Sequence, residues 1–165
     1  LLELTERRAV LLRHAVPARI DGTAEIGIAV VGEQPYAEGV GDRADLSLSE
    51  TDIQTITHLR AHSNKLIVIL LSGRPMIITP QYQLTDAWVA AWLPGSEGAG
   101  VADVLFGQAP FTGKLPYTWP RSNDQLPINI TSMNQANGCD TPLFPYGYGQ
   151  GEAGSAPIEW LECQN

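Results

Sequence analysis

Glu33 and Glu38 stand five positions apart in the stretch Val30-Val31-Gly32-Glu33-Gln34-Pro35-Tyr36-Ala37-Glu38-Gly39-Val40-Gly41-Asp42-Arg43. Four charges in these 14 residues are more than a loop needs if it only turns the chain. A carboxyl group moves protons at neutral pH when partial burial or a neighbouring carboxylate raises its pKa. Glu33, Asp42 and Asp45 are the neighbours able to act on Glu38 in that way. The alternative reading of Glu38 is a solvated surface charge.

The elements around this stretch place it at a sheet edge. Gly27-Ile28-Ala29-Val30-Val31 is uncharged and largely β-branched, as expected of a strand covered on both faces of a parallel sheet. The acidic loop leaves its C-terminal end, the edge where open α/β sheets bind ligands. Upstream, Leu1 to Val16 reads as a helix with Leu4, Leu11, Leu12 and Ala15 near one face, ended by Pro17. Asp21-Gly22-Thr23 is a turn, and the first strand is expected over Glu25 to Val31.

Ser49 is a helix cap with Asp52 completing a capping box, for a helix running to His62. Lys65 to Leu71 is a central strand, and Ser72-Gly73-Arg74-Pro75 turns the chain with Pro75 at a first helical position. A short helix or turn region reaches Gln83, and Asp86 to Leu93 is a third strand. Gly95-Ser96-Glu97-Gly98-Ala99-Gly100 opens a helix to Phe106. Its spacing matches no phosphate-binding loop and points to close helix–sheet packing. Leu115 to Trp119 reads as a short edge strand, and Arg121 to Pro145 as a long surface loop. The pattern predicts a three-layer α/β/α sandwich with a mostly parallel sheet, flavodoxin-like, as a single domain over residues 1–165.

The 44% hydrophobic and 17% charged content is that of an ordinary globular domain. A formal charge of −8 argues against nucleic acid and anionic membrane surfaces as partners. No apolar run approaches the roughly 20 residues that span a bilayer, and Glu3, Glu6, Arg7 and Arg8 interrupt any signal-like pattern at the start. Cys139 and Cys163 are too few for a disulfide framework and lack metal-site spacing; free thiols and one bridge both stay open. His14, His58 and His62 also lack metal spacing, so no metal or cofactor is expected.

The acidic loop resembles the acid/base loop of glycoside hydrolase family 3, the β-glucosidases and exo-glucanases. One branch of that family carries Val-Gly-Glu-x-Pro-Tyr-x-Glu, matched by Val31 to Glu38. Another carries Glu-Gly-x-Asp-Arg, nearly matched by Glu38 to Arg43 with one extra residue. Leu71 to Pro75, Ala90 to Gly98, Asp103 to Gly107, Thr112 to Pro116 and Leu143 to Gly149 follow in the family's order, so the likeness runs from Ala24 to Gly149. The resemblance implies the family's C-terminal α/β domain, with Glu38 as general acid/base. It makes Glu33, Tyr36, Asp42, Arg43 and Arg74 the substrate- or loop-supporting candidates.

Retaining hydrolysis needs a second carboxylate as nucleophile, roughly 5–5.5 Å from the acid. In the family this residue lies on a preceding (β/α)8 barrel, and nothing here resembles that barrel. The α/β domain itself is expected to be incomplete at its N-terminus. The resemblance thus implies a β-glucoside or β-glucan substrate, a barrel domain or chain as partner, and a secreted or periplasmic setting. A strand left as an open edge, and the surface a barrel would cover, make self-association an expectation. Trp88, Trp92, Trp119 and Trp160 suit sugar stacking by type, but Trp88 and Trp92 fall in the third strand and read as core. A non-catalytic carbohydrate-binding or interaction module is the competing reading, and a nucleotide binder is a third from fold alone.

Overall fold

The computed structural model describes residues 9–13, 22–129 and 138–149. They divide into two compact units, the first within Leu1–Gly41, Leu48–Arg74 and Pro80–Pro110, the second within Asp42–Ser47, Pro75–Thr79 and Phe111–Asn165. Cys163, His14 and Trp160 lie outside the described residues, and the expectations attached to them stay there.

The first unit is built on a four-stranded parallel sheet in the order β1 (Ala9–Arg13), β2 (Ala24–Gly32), β3 (Ser63–Leu71), β4 (Ala87–Ala90). β2 and β3 are paired from Ala24↔Ser63 to Gly32↔Leu71, and Ile28 lies between Leu11 and Ile67. Side chains alternate across these strands. Ile26, Ile28, Ile67 and Ile69 form one face, covered in part by Val101 and Leu105 of helix α3 (Gly98–Leu105). Ala29, Val31, Leu66, Val68 and Leu70 are buried on the other. Helix α1 (Glu50–Ala61) lies against β2 and β3, with Ile56 and Leu59 buried, which makes the third layer.

Local chemistry sets α1. Ser49 Oγ accepts from the Asp52 amide at 3.2 Å and donates to Asp52 Oδ2 at 2.7 Å, and the helix ends at His62. At the opposite end of the sheet from the acidic loop, Asp86 accepts from Lys65 Nζ at 2.6 Å, the Leu66 amide at 2.9 Å and Arg60 Nη1 at 3.0 Å. Desolvation alone would raise the Asp86 pKa, but the hydrogen bond from Lys65, then those from Leu66 and Arg60, outweigh it and hold the group below the ordinary aspartate value.

Several expectations are corrected. Ala9–Arg13 is a strand rather than part of a helix, because Val10-Leu11-Leu12 is a contiguous apolar run that pairs with β2. β2 therefore has partners on both sides, and among the described residues the edge strand of the sheet is β1 rather than β2. Pro75 opens no helix; α2 is the single turn Thr79–Tyr82. β4 is shorter than Asp86 to Leu93, and Trp92 lies beyond its end. Gly98 and Gly100 have open space where a Cβ would go, so close packing is not what places glycine there.

In the second unit the stretch before Trp119 forms no strand. Trp119 makes one antiparallel bridge, its amide donating to the Phe144 carbonyl at 2.8 Å, and the Leu115 amide donates to the Tyr148 carbonyl at 2.7 Å. Met76, Ile78, Trp119, Leu143 and Phe144 are buried there. Trp119 is 3% exposed and its indole N–H donates to the Met76 carbonyl at 2.8 Å, which makes it a core residue and no platform for a sugar. Between Arg121 and Pro145, Asn123–Gln125 and Gly138–Asp140 are 3-10 turns, and residues 130–137 lie outside the description. No helix of the described residues is long and apolar enough to cross a membrane.

Candidate functional site

The C-terminal ends of β2, β3 and β4 bring three backbone turns to one edge of the sheet. The Glu33 amide donates to the Leu71 carbonyl at 3.0 Å, and the Ser72 amide donates to the Trp92 carbonyl at 3.2 Å. Gly32 is required where β2 ends, because a Cβ there would land on the Leu71 carbonyl oxygen. Trp92 carries φ 54, a left-handed conformation that costs a bulky residue about 1–3 kcal/mol. Leu93 follows and is 74% exposed. Neither feature is expected from the sequence.

Arg74 organises the loop that leaves β2. Its Nε and Nη2 donate to Glu33 Oε1 at 3.1 and 2.7 Å, and Nη2 also donates to the Gly41 carbonyl at 2.8 Å. The guanidinium carbon lies 5.0 Å from the centre of the Tyr36 ring, and the Tyr36 hydroxyl donates to Glu33 Oε2 at 3.2 Å. The Glu33 side chain is only 7% exposed and that of Arg74 25%, so water screens this pair weakly. A Cβ at Gly41 would overlap the Tyr36 ring. Ser72, buried, bonds through Oγ to both the amide and the carbonyl of Arg74 and fixes the turn from which that side chain reaches out.

Glu38 sits in the turn that the Gly41 amide closes on the Ala37 carbonyl at 3.2 Å. Its side chain is exposed and has no hydrogen bond or ion pair among the described residues. Glu33, Tyr36 and Arg74 are thus joined in one cluster beneath the turn that presents Glu38. Asp42 and Arg43 fall in the second unit. Asp42 is exposed and without a partner among the described residues, and Arg43 Nη2 approaches Met76 Sδ at 3.8 Å.

Two of the carboxylates close to Glu38 in sequence have partners of their own. Glu33 is paired with Arg74. Asp45 accepts from the Ser47 amide at 2.9 Å and from Asn123 Nδ2 at 2.8 Å. Hydrogen bonds from Ser47 and Asn123 and the nearby charge of Arg43 hold Asp45 below the ordinary aspartate pKa. Trp88 is half-buried in β4, and its indole N–H has no partner among the described residues. The His58 and His62 rings, on α1 and its cap, lie 4.4 Å apart and tilted by 35°. No three His, Cys, Asp or Glu side chains among the described residues come together as a metal site.

The profile of the glycosyl hydrolase family 3 C-terminal domain matches residues 13–151. The chain belongs to glycoside hydrolase family 3. Within that family it is 34% identical over 147 residues to the periplasmic beta-glucosidase of Salmonella typhimurium, covering 76% of this chain and 19% of that protein. It is 36% identical over 127 residues to the xylan 1,4-beta-xylosidase of Xylanibacter ruminicola, covering 72% of this chain and 15% of that protein. Its fold matches the exo-1,3/1,4-beta-glucanase ExoP of a Pseudoalteromonas species with a TM-score of 0.72 and 36% identity, over 88% of this chain and 24% of that one. The chain therefore spans about a fifth of the length of these family 3 relatives.

Proposed function

We propose that this family 3 domain carries the general acid/base of a retaining β-glucosidase or exo-β-glucanase, with Glu38 as the proton donor and the nucleophile supplied by a (β/α)8 barrel. The observation that carries the reading is the division of labour between the two loop carboxylates. Glu33 is buried against Arg74 and committed as an ion pair, whereas Glu38 stands exposed and uncommitted on the turn above it. A fixed, paired carboxylate cannot give up and regain a proton easily, and a free one presented toward a partner surface can.

Docking against the barrel would bury Glu38 and bring it to within roughly 5–5.5 Å of the nucleophile. Val40, 84% exposed in the same turn, and Leu93, 74% exposed after β4, support this edge as the docked surface, since both leave apolar area in water. Terminal β-D-glucosyl residues of β-glucosides or β-glucans are the substrates of choice. Relatives that act on glucosides and on xylan are matched about equally well, and the sugar itself is gripped in subsite −1 by the barrel in this reading.

The test mixes this chain with a separately expressed family 3 barrel and assays an alkyl β-glucoside, whose leaving group needs a proton. Activity above the barrel alone that disappears in Glu38→Gln is expected. No gain over the barrel, or equal activity with the variant, would overturn the assignment. A second reading, a non-catalytic carbohydrate-binding or interaction module, draws on the exposure of Glu38 and the lack of any partner for it among the described residues. Glucan binding by the chain without hydrolysis in the mixture would favour it.

A further inference from the structure

We infer that Arg74 is the positioning residue of the proton-donor loop, fixing where Glu38 stands by holding both ends of the Glu33–Gly41 segment. The catalytic half of this inference rests on the assignment of Glu38; the structural half does not. Nothing on the Glu38 side chain anchors it among the described residues, so its placement is set by the backbone turn between Ala37 and Gly41. That turn is held from outside by the bond from Arg74 Nη2 to the Gly41 carbonyl at 2.8 Å.

The same guanidinium holds the first residue of the loop through Glu33 Oε1 and lies against the Tyr36 ring between the two ends. Three contacts in different directions need the planar fork of arginine; the ammonium of lysine is a point charge on a flexible stem and cannot make them together. Ser72 keeps the fork aimed, since its hydroxyl bridges the amide and carbonyl of Arg74 on the turn leaving β3. Displacing a reacting group by about 1 Å can cost about a hundredfold in rate. Arg74 thus acts on turnover through the loop, without touching the sugar.

Arg74→Met and Arg74→Lys in this chain are compared with the unchanged protein by backbone amide exchange, taking residues 33–41 against residues 24–32 of β2 as the internal reference. The expected result is exchange over 33–41 faster by about tenfold or more relative to 24–32 in the Met variant, and by less in the Lys variant. In the mixture with the barrel, Arg74→Met is expected to lower kcat about 10–100-fold with KM within about threefold, and to shift the pH limb that Glu38→Gln removes.

Unchanged exchange over 33–41 in a folded Arg74→Met overturns the clamp. Unchanged kcat, where Glu38→Gln abolishes activity, overturns the positioning role. An inactive mixture of unchanged proteins defeats the function assigned to Glu38, while the exchange comparison still decides the clamp. If Arg74→Met fails to fold, Glu33→Gln serves in its place, because it removes the carboxylate and leaves the Gly41 and Tyr36 contacts. A partial rise in exchange over 33–41 supports the inference, and no rise overturns it.

Discussion

Arg74 and Glu33 form an ion pair of 2.7 Å between the end of β3 and the start of the loop after β2, with the Glu33 side chain almost wholly removed from water. A buried charge left without its partner is costly, and an exposed charge without one is not. Glu33→Gln is therefore expected to destabilise the protein by about 1–3 kcal/mol. Glu38→Gln should leave stability within about 0.5 kcal/mol of the parent. Urea denaturation of the two variants checks this. Equal losses would contradict the separation of roles between the two carboxylates.

Gly41 lies where any Cβ meets the Tyr36 ring. Gly41→Ala is expected to cost about 1–3 kcal/mol by forcing the ring aside, since overpacking at a fixed contact has that magnitude. The same substitution made on top of Tyr36→Ala should cost less than about 0.5 kcal/mol, because the obstacle is gone. A double-mutant cycle by chemical denaturation measures the coupling. An additive result would mean that the ring does not occupy that space.

Ser49 supplies the N-cap of α1, with its hydroxyl accepting from the Asp52 amide at 3.2 Å. Ser49→Ala should cost about 1 kcal/mol. In a protein of this size that lowers the melting temperature by about 2–4 °C. Calorimetry reads the shift directly, and Ser49→Thr, which keeps a hydroxyl able to accept from the Asp52 amide and donate to its carboxylate, should recover most of it.

Asp86 is held below its ordinary pKa by Lys65, Leu66 and Arg60 against the opposing effect of desolvation. A depressed carboxylate contributes stability that is present above the unfolded-state pKa and is lost as pH falls through the folded-state value. Asp86→Asn should therefore lower stability near pH 7, and the gap to the parent should close between roughly pH 5 and pH 2. Denaturation midpoints across that range test the sign. A gap that widened on acidification would be incompatible with these hydrogen bonds.

Much of the fold is legible in the sequence because its signals are local. The uncharged runs of β2 and β3 and the Ser49 cap depend on residues within one element, and each appears where the sequence places it. Ala9–Arg13 reads as helix because a run such as Val10-Leu11-Leu12 fits a helix face as well as a strand, and only pairing with β2 decides. Leu115 to Trp119 is misleading for the same reason, since its partners lie near Phe144 and Tyr148, far along the chain. The partner of Arg74 is not legible in the sequence. That contact exists only because β2 and β3 are neighbours in the sheet and end level with each other, at Gly32 and Leu71. The left-handed Trp92 leaves no local trace, because a tryptophan is among the residues least suited to that conformation.

The proton-donor role of Glu38 is tested most directly by the dependence of the Glu38→Gln variant on leaving group, in the chain recombined with a family 3 barrel. A general acid matters in proportion to the basicity of the departing oxygen. Loss of kcat/KM by about 10²–10⁴-fold is expected on an alkyl β-glucoside, whose leaving group needs a proton. On a dinitrophenyl β-glucoside, whose leaving group departs as an anion, little loss is expected. Equal losses on both substrates, or none on either, would contradict the account.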